Sequence, residues 1–180
     1  MIIKATALAA ALALGCAVSA SQAANAARED QALSEAKVSL TQAIGVAEKQ
    51  GSGQAISAEH ESKHMGKDKM GAYEIKVLSS DGAKLTKYEV DPMTGKVTEA
   101  SNEPFQKVFT RIKPTDLQNA QTSLKSAITT AESQSGGKAV DATTDRTGDT
   151  VRYTVKVAKA DGTTEKVKVN GTDGKVATAK

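Results

Sequence analysis

An α+β fold of two tandem repeats, each an N-terminal helix packed on a three- to four-stranded antiparallel sheet, is what this sequence predicts. Three observations carry that expectation. The register Leu33, Ala36, Leu40, Ala43, Ile44, Ala47, Glu48 returns as Leu117, Ala120, Leu124, Ala127, Ile128, Ala131, Glu132, each pair 84 positions apart. These apolar residues follow three- and four-residue steps, which place them on one helix face. Downstream, Tyr73 to Val77 and Tyr153 to Val157 alternate polar and apolar residues and run into Asp81-Gly82 and Asp161-Gly162, the pattern of half-wet strands joined by turns. A motif repeated at this spacing is one supersecondary unit used twice.

The N-terminus holds Lys4, an apolar run from Ala5 to Val18, and small residues offering Ser21-Gln22-Ala23 and Ala24-Asn25-Ala26 as cleavage sequences. This reads as a cleaved export signal over residues 1–26, too short for the ~20 apolar residues that cross a bilayer. The expected location is the periplasm or outside the cell. Cys16 is the single cysteine; cleavage beyond it leaves a chain with no thiol for disulfides, zinc–thiolate sites or a cysteine nucleophile. Leu14-Gly15-Cys16 also has the shape of a lipobox, which would tether the protein through an acylated Cys16, but Ala13 stands where that motif prefers leucine.

Of 24 Lys and Arg against 21 Asp and Glu, only Lys4 leaves with the leader. The balance is nearly neutral, and the charges alternate along Lys67-Asp68-Lys69 and Glu165-Lys166, against a nucleic-acid surface. Aromatic residues make up 3% with no tryptophan, so the core must come from Val, Ile, Leu and Ala. Units of roughly 60 residues stand near the lower limit of independent folding, and packing the two together would relieve that.

Each element follows in order. Repeat one spans 32–100, a linker 101–114 and repeat two 115–178. The alanine-rich helix stripe suits close approach to a sheet. Ser39-Leu40-Thr41-Gln42 fits a capping box, so the helix is either continuous or broken and restarted at Ser39, the latter preferred. Thr115 to Gln118 after Pro114 offers the same cap, with Ser123 matching Ser39. Gly51-Ser52-Gly53 and Ser135-Gly136-Gly137 close the helices. Strands are expected at Gln54 to Glu61, Ala72 to Val77 and Lys84 to Asp91, then at Lys138 to Thr144, Val151 to Val157 and Thr164 to Asn170. Short returns follow at Lys96-Val97 and Lys175-Val176. The offset drops from 84 at Ala58/Ala142 to 80 at Tyr73/Tyr153, so repeat one carries about four extra residues there, and that insertion contains both histidines. In the linker, Phe105 and Phe109 would share a helical turn and pack between the repeats.

Taken together, Ser39-Leu40-Thr41-Gln42-Ala43-Ile44, Tyr73-Glu74-Ile75-Lys76-Val77 and Val90-Asp91-Pro92-Met93-Thr94-Gly95-Lys96-Val97 resemble the PepSY domain family. The second copy is similar through Ser123-Leu124-Lys125-Ser126-Ala127-Ile128, Gly136-Gly137-Lys138-Ala139-Val140 and Tyr153-Thr154-Val155-Lys156-Val157, with Asn170 in place of the usual aspartate. The resemblance implies a non-enzymatic exported module that binds another protein, such as a peptidase or an envelope protein, and inhibits or regulates a peptidase. It supplies no catalytic residues and no cofactor, and fold-level analogy cannot stand in for a site.

One cluster could carry other chemistry. His60 and His64 are four apart, with Met65 adjacent and Glu59 and Glu61 flanking. On one helical turn they could ligate copper, zinc or haem iron, which makes a periplasmic metal- or haem-binding accessory protein the alternative reading. If Gln54 to Glu61 is a strand, His64 lies in the loop beyond it and ligation needs that loop to fold back; a solvated polar loop is the plainer reading. No Gly-x-Ser-x-Gly elbow accompanies the serines. Asp81, Asp91 and Asp161 occupy turn positions where aspartate accepts from nearby amides.

Overall fold

The computed structural model describes residues 35–61 and 71–177, without the side chains of Phe105, Val108 and Phe109. The leader with Cys16, the insertion with His64 and Met65, and the expected Phe105–Phe109 contact lie outside what is described.

The helix stripe and the alternating segments form as their periods dictate. Helix α1 (Leu40–Gly51) buries Leu40, Ala43, Ile44 and Ala47; helix α4 (Leu124–Ser135) buries Leu124, Ala127, Ile128 and Ala131. Between them come strands β1 (Gly53–Glu61), β2 (Ala72–Ser79), β3 (Leu85–Val90) and β4 (Val97–Asn102), then helices α2 (Pro104–Phe109) and α3 (Pro114–Gln118). Strands β5 (Lys138–Thr147), β6 (Thr150–Ala158) and β7 (Thr164–Asn170) follow α4. An N-terminal helix on an antiparallel sheet is therefore what the chain adopts. The caps fall largely as expected. Ser39 Oγ accepts from Gln42 N at 3.2 Å while Gln42 Oε1 accepts from Ser39 N at 2.8 Å, and Ser123 Oγ accepts from Ser126 N at 3.2 Å. The break before α4 is present, since α3 ends at Gln118 and α4 begins at Leu124.

Several details differ from expectation, each for a local reason. Helix α3 is capped at Lys113, not Thr115, because Pro114 takes the first helical position and Asp116 Oδ2 reaches back to Lys113 N at 2.9 Å. The left-handed residue ending α1 is Ser52, with φ 48°, whereas Gly136 holds the matching place after α4. Gly53 and Gly137 are required by close approach instead: a Cβ there would lie 2.1 Å from the Leu78 carbonyl oxygen and 2.2 Å from that of Ala158. At Asp81-Gly82 only the glycine has positive φ. The reversal is accordingly a longer loop, held by Asp81 Oδ1 accepting from Ala83 N at 2.9 Å, and not a two-residue type I′ turn. The tight hairpin is elsewhere, at Gly148-Asp149, between the paired Thr147 and Thr150.

The larger difference is topological. Instead of two separate sheets there is one seven-stranded sheet in the order β4-β3-β2-β1-β5-β6-β7. Its seam is the antiparallel pairing of β1 with β5, where Ser57 faces Thr143, Ala58 faces Ala142 and Glu59 faces Asp141. Ala58 thus meets the residue 84 positions ahead of it, and exchanging the halves maps the seam onto itself, as in an isologous dimer interface. Both helices cover one face. Tyr73, Ile75, Val77, Val90, Tyr153, Val155, Val157, Val167 and Val169 point into one continuous core with the helix stripes. The other face is largely polar; near the β2–β3 loop Leu78 and Leu85 are paired and buried on it. There Pro114 and Leu117 of α3 flank Leu78.

Candidate functional site

His60 lies in β1 with its side chain 4% exposed. By strand alternation it shares the helix-facing side with Ala58. Its ring meets Tyr73 edge-on, centroids 5.6 Å apart at 64°. His60 therefore lies on a strand and not on a helical turn, and Glu59 and Glu61 point to the opposite face. Among the described residues no group of three or more His, Cys, Asp or Glu side chains is assembled for a metal ion.

Two of the three buried tyrosines fasten the chain entering each helix to its sheet. Tyr73 Oη donates to the Val38 carbonyl at 2.8 Å and Tyr153 Oη to that of Thr122 at 2.6 Å. Burial, and next the carboxylates Glu132 and Glu48 from the opposite halves, push both phenols up to about 12. Those glutamates also tie helix to strand. Glu48 Oε1 accepts from Ala55 N at 3.1 Å and Glu132 Oε1 from Ala139 N at 2.9 Å, each beside a bulge in the following strand. Glu48 Oε2 meets Lys125 Nζ at 2.7 Å, an ion pair bridging the halves.

The open sheet face is where the chain presents chemistry to solvent. Cross-strand partners align Glu99, Glu89, Glu74, Glu59 and Asp141 in one row across five strands, continued by Lys156 and Lys166. Neighbours in such a row stand ~4.8 Å apart. The adjacent row reads Ser101, Lys87, Lys76, Ser57, Thr143, Thr154 and Lys168. Lysines of the second row neutralise part of the first: Lys76 Nζ is 3.2 Å and Lys87 Nζ 3.6 Å from Glu74, and Lys87 is 3.8 Å from Glu89. Glu59 sits where this compensation is weakest. Partial burial and then Asp141, Glu74 and Glu61 raise its carboxyl above the usual value, with Lys76 opposing. Asp141 is raised by burial against the pull of Lys156 and Lys166. Sequence reasoning treated these charges as generic surface. The period-two spacing placed each one on a strand face, but the row exists only once strand order and register are known.

An open cleft of about 450 Å³ between the β2–β3 loop and the linker is lined by Ser80, Asp81, Lys107, Ile112, Lys113 and Thr115 among others. Two of its polar side chains hold loops: Ser80 Oγ donates to the Ser52 carbonyl at 2.7 Å, and Asp81 Oδ1 accepts from Ser79 Oγ at 2.6 Å. Hydrogen bonds from Ser79 and Ala83 lower the Asp81 carboxyl. The remaining turn carboxylates behave alike. Asp91 Oδ1 accepts from Thr94 N at 2.7 Å and Met93 N at 2.8 Å, and is lowered for that reason. No nucleophile is paired with a base among the residues of this cleft.

Residues 37–100 match the family model of PepSY, the peptidase propeptide and YPEB domain. A crystal structure from Clostridium difficile 630, described as a "putative lipoprotein", superimposes with a TM-score of 0.46 at 18% identity, covering 80% of this chain and 93% of that one. No curated protein matches the chain. Among the described residues no helix is long and apolar enough to cross a membrane.

Proposed function

We propose that this chain, whose residues 37–100 are a PepSY domain, is an exported, non-enzymatic protein-binding module of two tandem PepSY-type units that regulates a peptidase outside the cytoplasm. The observation that carries the reading is that match, together with what the matched half presents. Its helix buries its apolar stripe in the core, leaving Glu59, Glu99 and most of strand β4 exposed. A face of this kind recognises another protein by surface docking or strand addition and does not transform it.

The test is direct. Purified mature protein is titrated into the exported peptidase fraction of its own cell with a general protein substrate, and bound proteins are captured by cross-linking. Inhibition or activation that saturates near one equivalent, with a peptidase cross-linked to the sheet face, is the expected result. Unchanged proteolysis at excess protein, with no peptidase captured, would overturn the proposal.

A further inference from the structure

We infer that the free edge of β4 is a docking surface for a second copy of this chain, the two β4 strands pairing antiparallel about Ala100. Strand β4 closes one end of the sheet. Its inward hydrogen bonds are fixed by the donation of Glu103 N to the Leu85 carbonyl at 2.8 Å. Because bonding direction alternates along an antiparallel strand, Ser101 and Glu99 turn their backbone groups toward β3, while Ala100 and Asn102 turn theirs to the free edge. Such an edge is a template for another strand. Among the described residues Ala100 and Asn102 are exposed, the strand's single charge, Glu99, projects onto the sheet face, and the bulge at Thr98 lies at the far end, so none of these blunts the edge.

Charge selects both occupant and register. A two-fold axis at Ala100 sets Glu99 opposite Ser101 of the second copy. The row Glu59-Glu74-Glu89-Glu99 then continues into Ser101-Lys87-Lys76 of the other molecule, and the reciprocal row does the same. Acidic and basic rows complete each other twice. Pairing about Glu99 would instead oppose like charges and join two acidic rows, which is destabilising. The protein already contains this kind of join, since the β1–β5 seam is an isologous antiparallel pairing centred on the alanines Ala58 and Ala142.

A single strand pair buries little surface, so association should be weak and visible only toward millimolar protein. Light scattering after gel filtration of the mature chain is expected to show mass rising toward a dimer across that range. Amide hydrogen exchange should show Ala100 and Asn102 gaining protection with concentration, while Glu99 and Ser101 are protected throughout. Ala100→Pro removes an outward N–H only, which an edge strand tolerates, so it should keep the melting temperature yet weaken dimerisation at least tenfold. Glu99→Lys, an exposed change that leaves the fold intact, should weaken it too. A chain that stays monomeric at millimolar concentration, or a dimer insensitive to both variants, would overturn the inference. Neither result bears on peptidase capture, so this proposal and the regulatory one fail separately.

Discussion

The two halves of the sheet agree where they are buried and diverge where they are wet. On the helix side Tyr73, Ile75, Val77 and Val90 of the first half occupy the places of Tyr153, Val155, Val157 and Val169 in the second, all nearly inaccessible to solvent. On the open side Glu59, Glu74 and Glu89 of the first half stand where the second has Thr143, Thr154 and Lys168. Close packing punishes any change of volume inside the core, while the outer face carries no such constraint. The asymmetry of charge is therefore where the halves differ in what they can bind. Two buried positions do differ: His60 stands opposite Tyr73 where Thr144 stands opposite Tyr153, and Tyr88 opposite Ile75 where Val167 stands opposite Val155.

The strongest way to break this comparison is to ask whether the halves unfold separately. Ile44→Ala and Ile128→Ala remove matched, fully buried side chains and should each cost about 2–5 kcal/mol. Because one core runs under one sheet, both should lower the same single calorimetric transition. Two resolved transitions, each moved by only one variant, would show that the seam couples the halves weakly.

Next in size are the tyrosine anchors. Tyr73→Phe and Tyr153→Phe each leave a carbonyl without its donor and should cost about 1–3 kcal/mol by chemical denaturation. The folded state holds both phenolic protons up to about 12, whereas an unfolded tyrosine releases its proton near 10. The folded form thus binds more protons between those values, and stability falls as pH rises through that window. Each Phe variant should flatten this alkaline loss, read by denaturation at a series of pH values.

A smaller effect isolates backbone geometry. Ser52 and Gly136 hold the same left-handed place, and a Cβ at Gly136 would meet nothing within 4 Å. Ser52→Gly should then raise stability by roughly 0.5–1 kcal/mol and Gly136→Ser lower it similarly, opposite shifts in melting temperature with unchanged packing. Loss of the partly exposed Lys125–Glu48 bridge in Lys125→Ala should cost less than about 1 kcal/mol and vanish in high salt.

Smallest of all is the acidic row. The raised Glu59 carboxyl holds its proton more tightly folded than unfolded, so it costs stability as pH climbs from its ordinary value through its raised one. Glu59→Gln should stabilise slightly at neutral pH, by a few tenths of a kcal/mol after solvent screening, with the gain gone in acid. Equal melting temperatures at neutral pH would show the repulsion to be fully screened.

The sequence by itself determined the local elements of this protein, because each rests on a rule that acts over a few residues. Three- and four-residue spacing made α1 and α4, alternation made β2, β3, β6 and β7, and Ser39 and Ser123 started the helices where their hydroxyls could accept an amide. It also placed Asp91 and Asp161 in turns, and it brought out the family resemblance that residues 37–100 bear. It could place His60 on a strand but not say which face would be covered, since that depends on what packs there. Tertiary structure decided the rest. The joining of β1 to β5, the sharing of one core, and the alignment of five carboxylates into a row all depend on strand order and register between segments tens of residues apart. Those follow from burying one face of all strands but β4 at once, a condition that no single stretch of the chain contains.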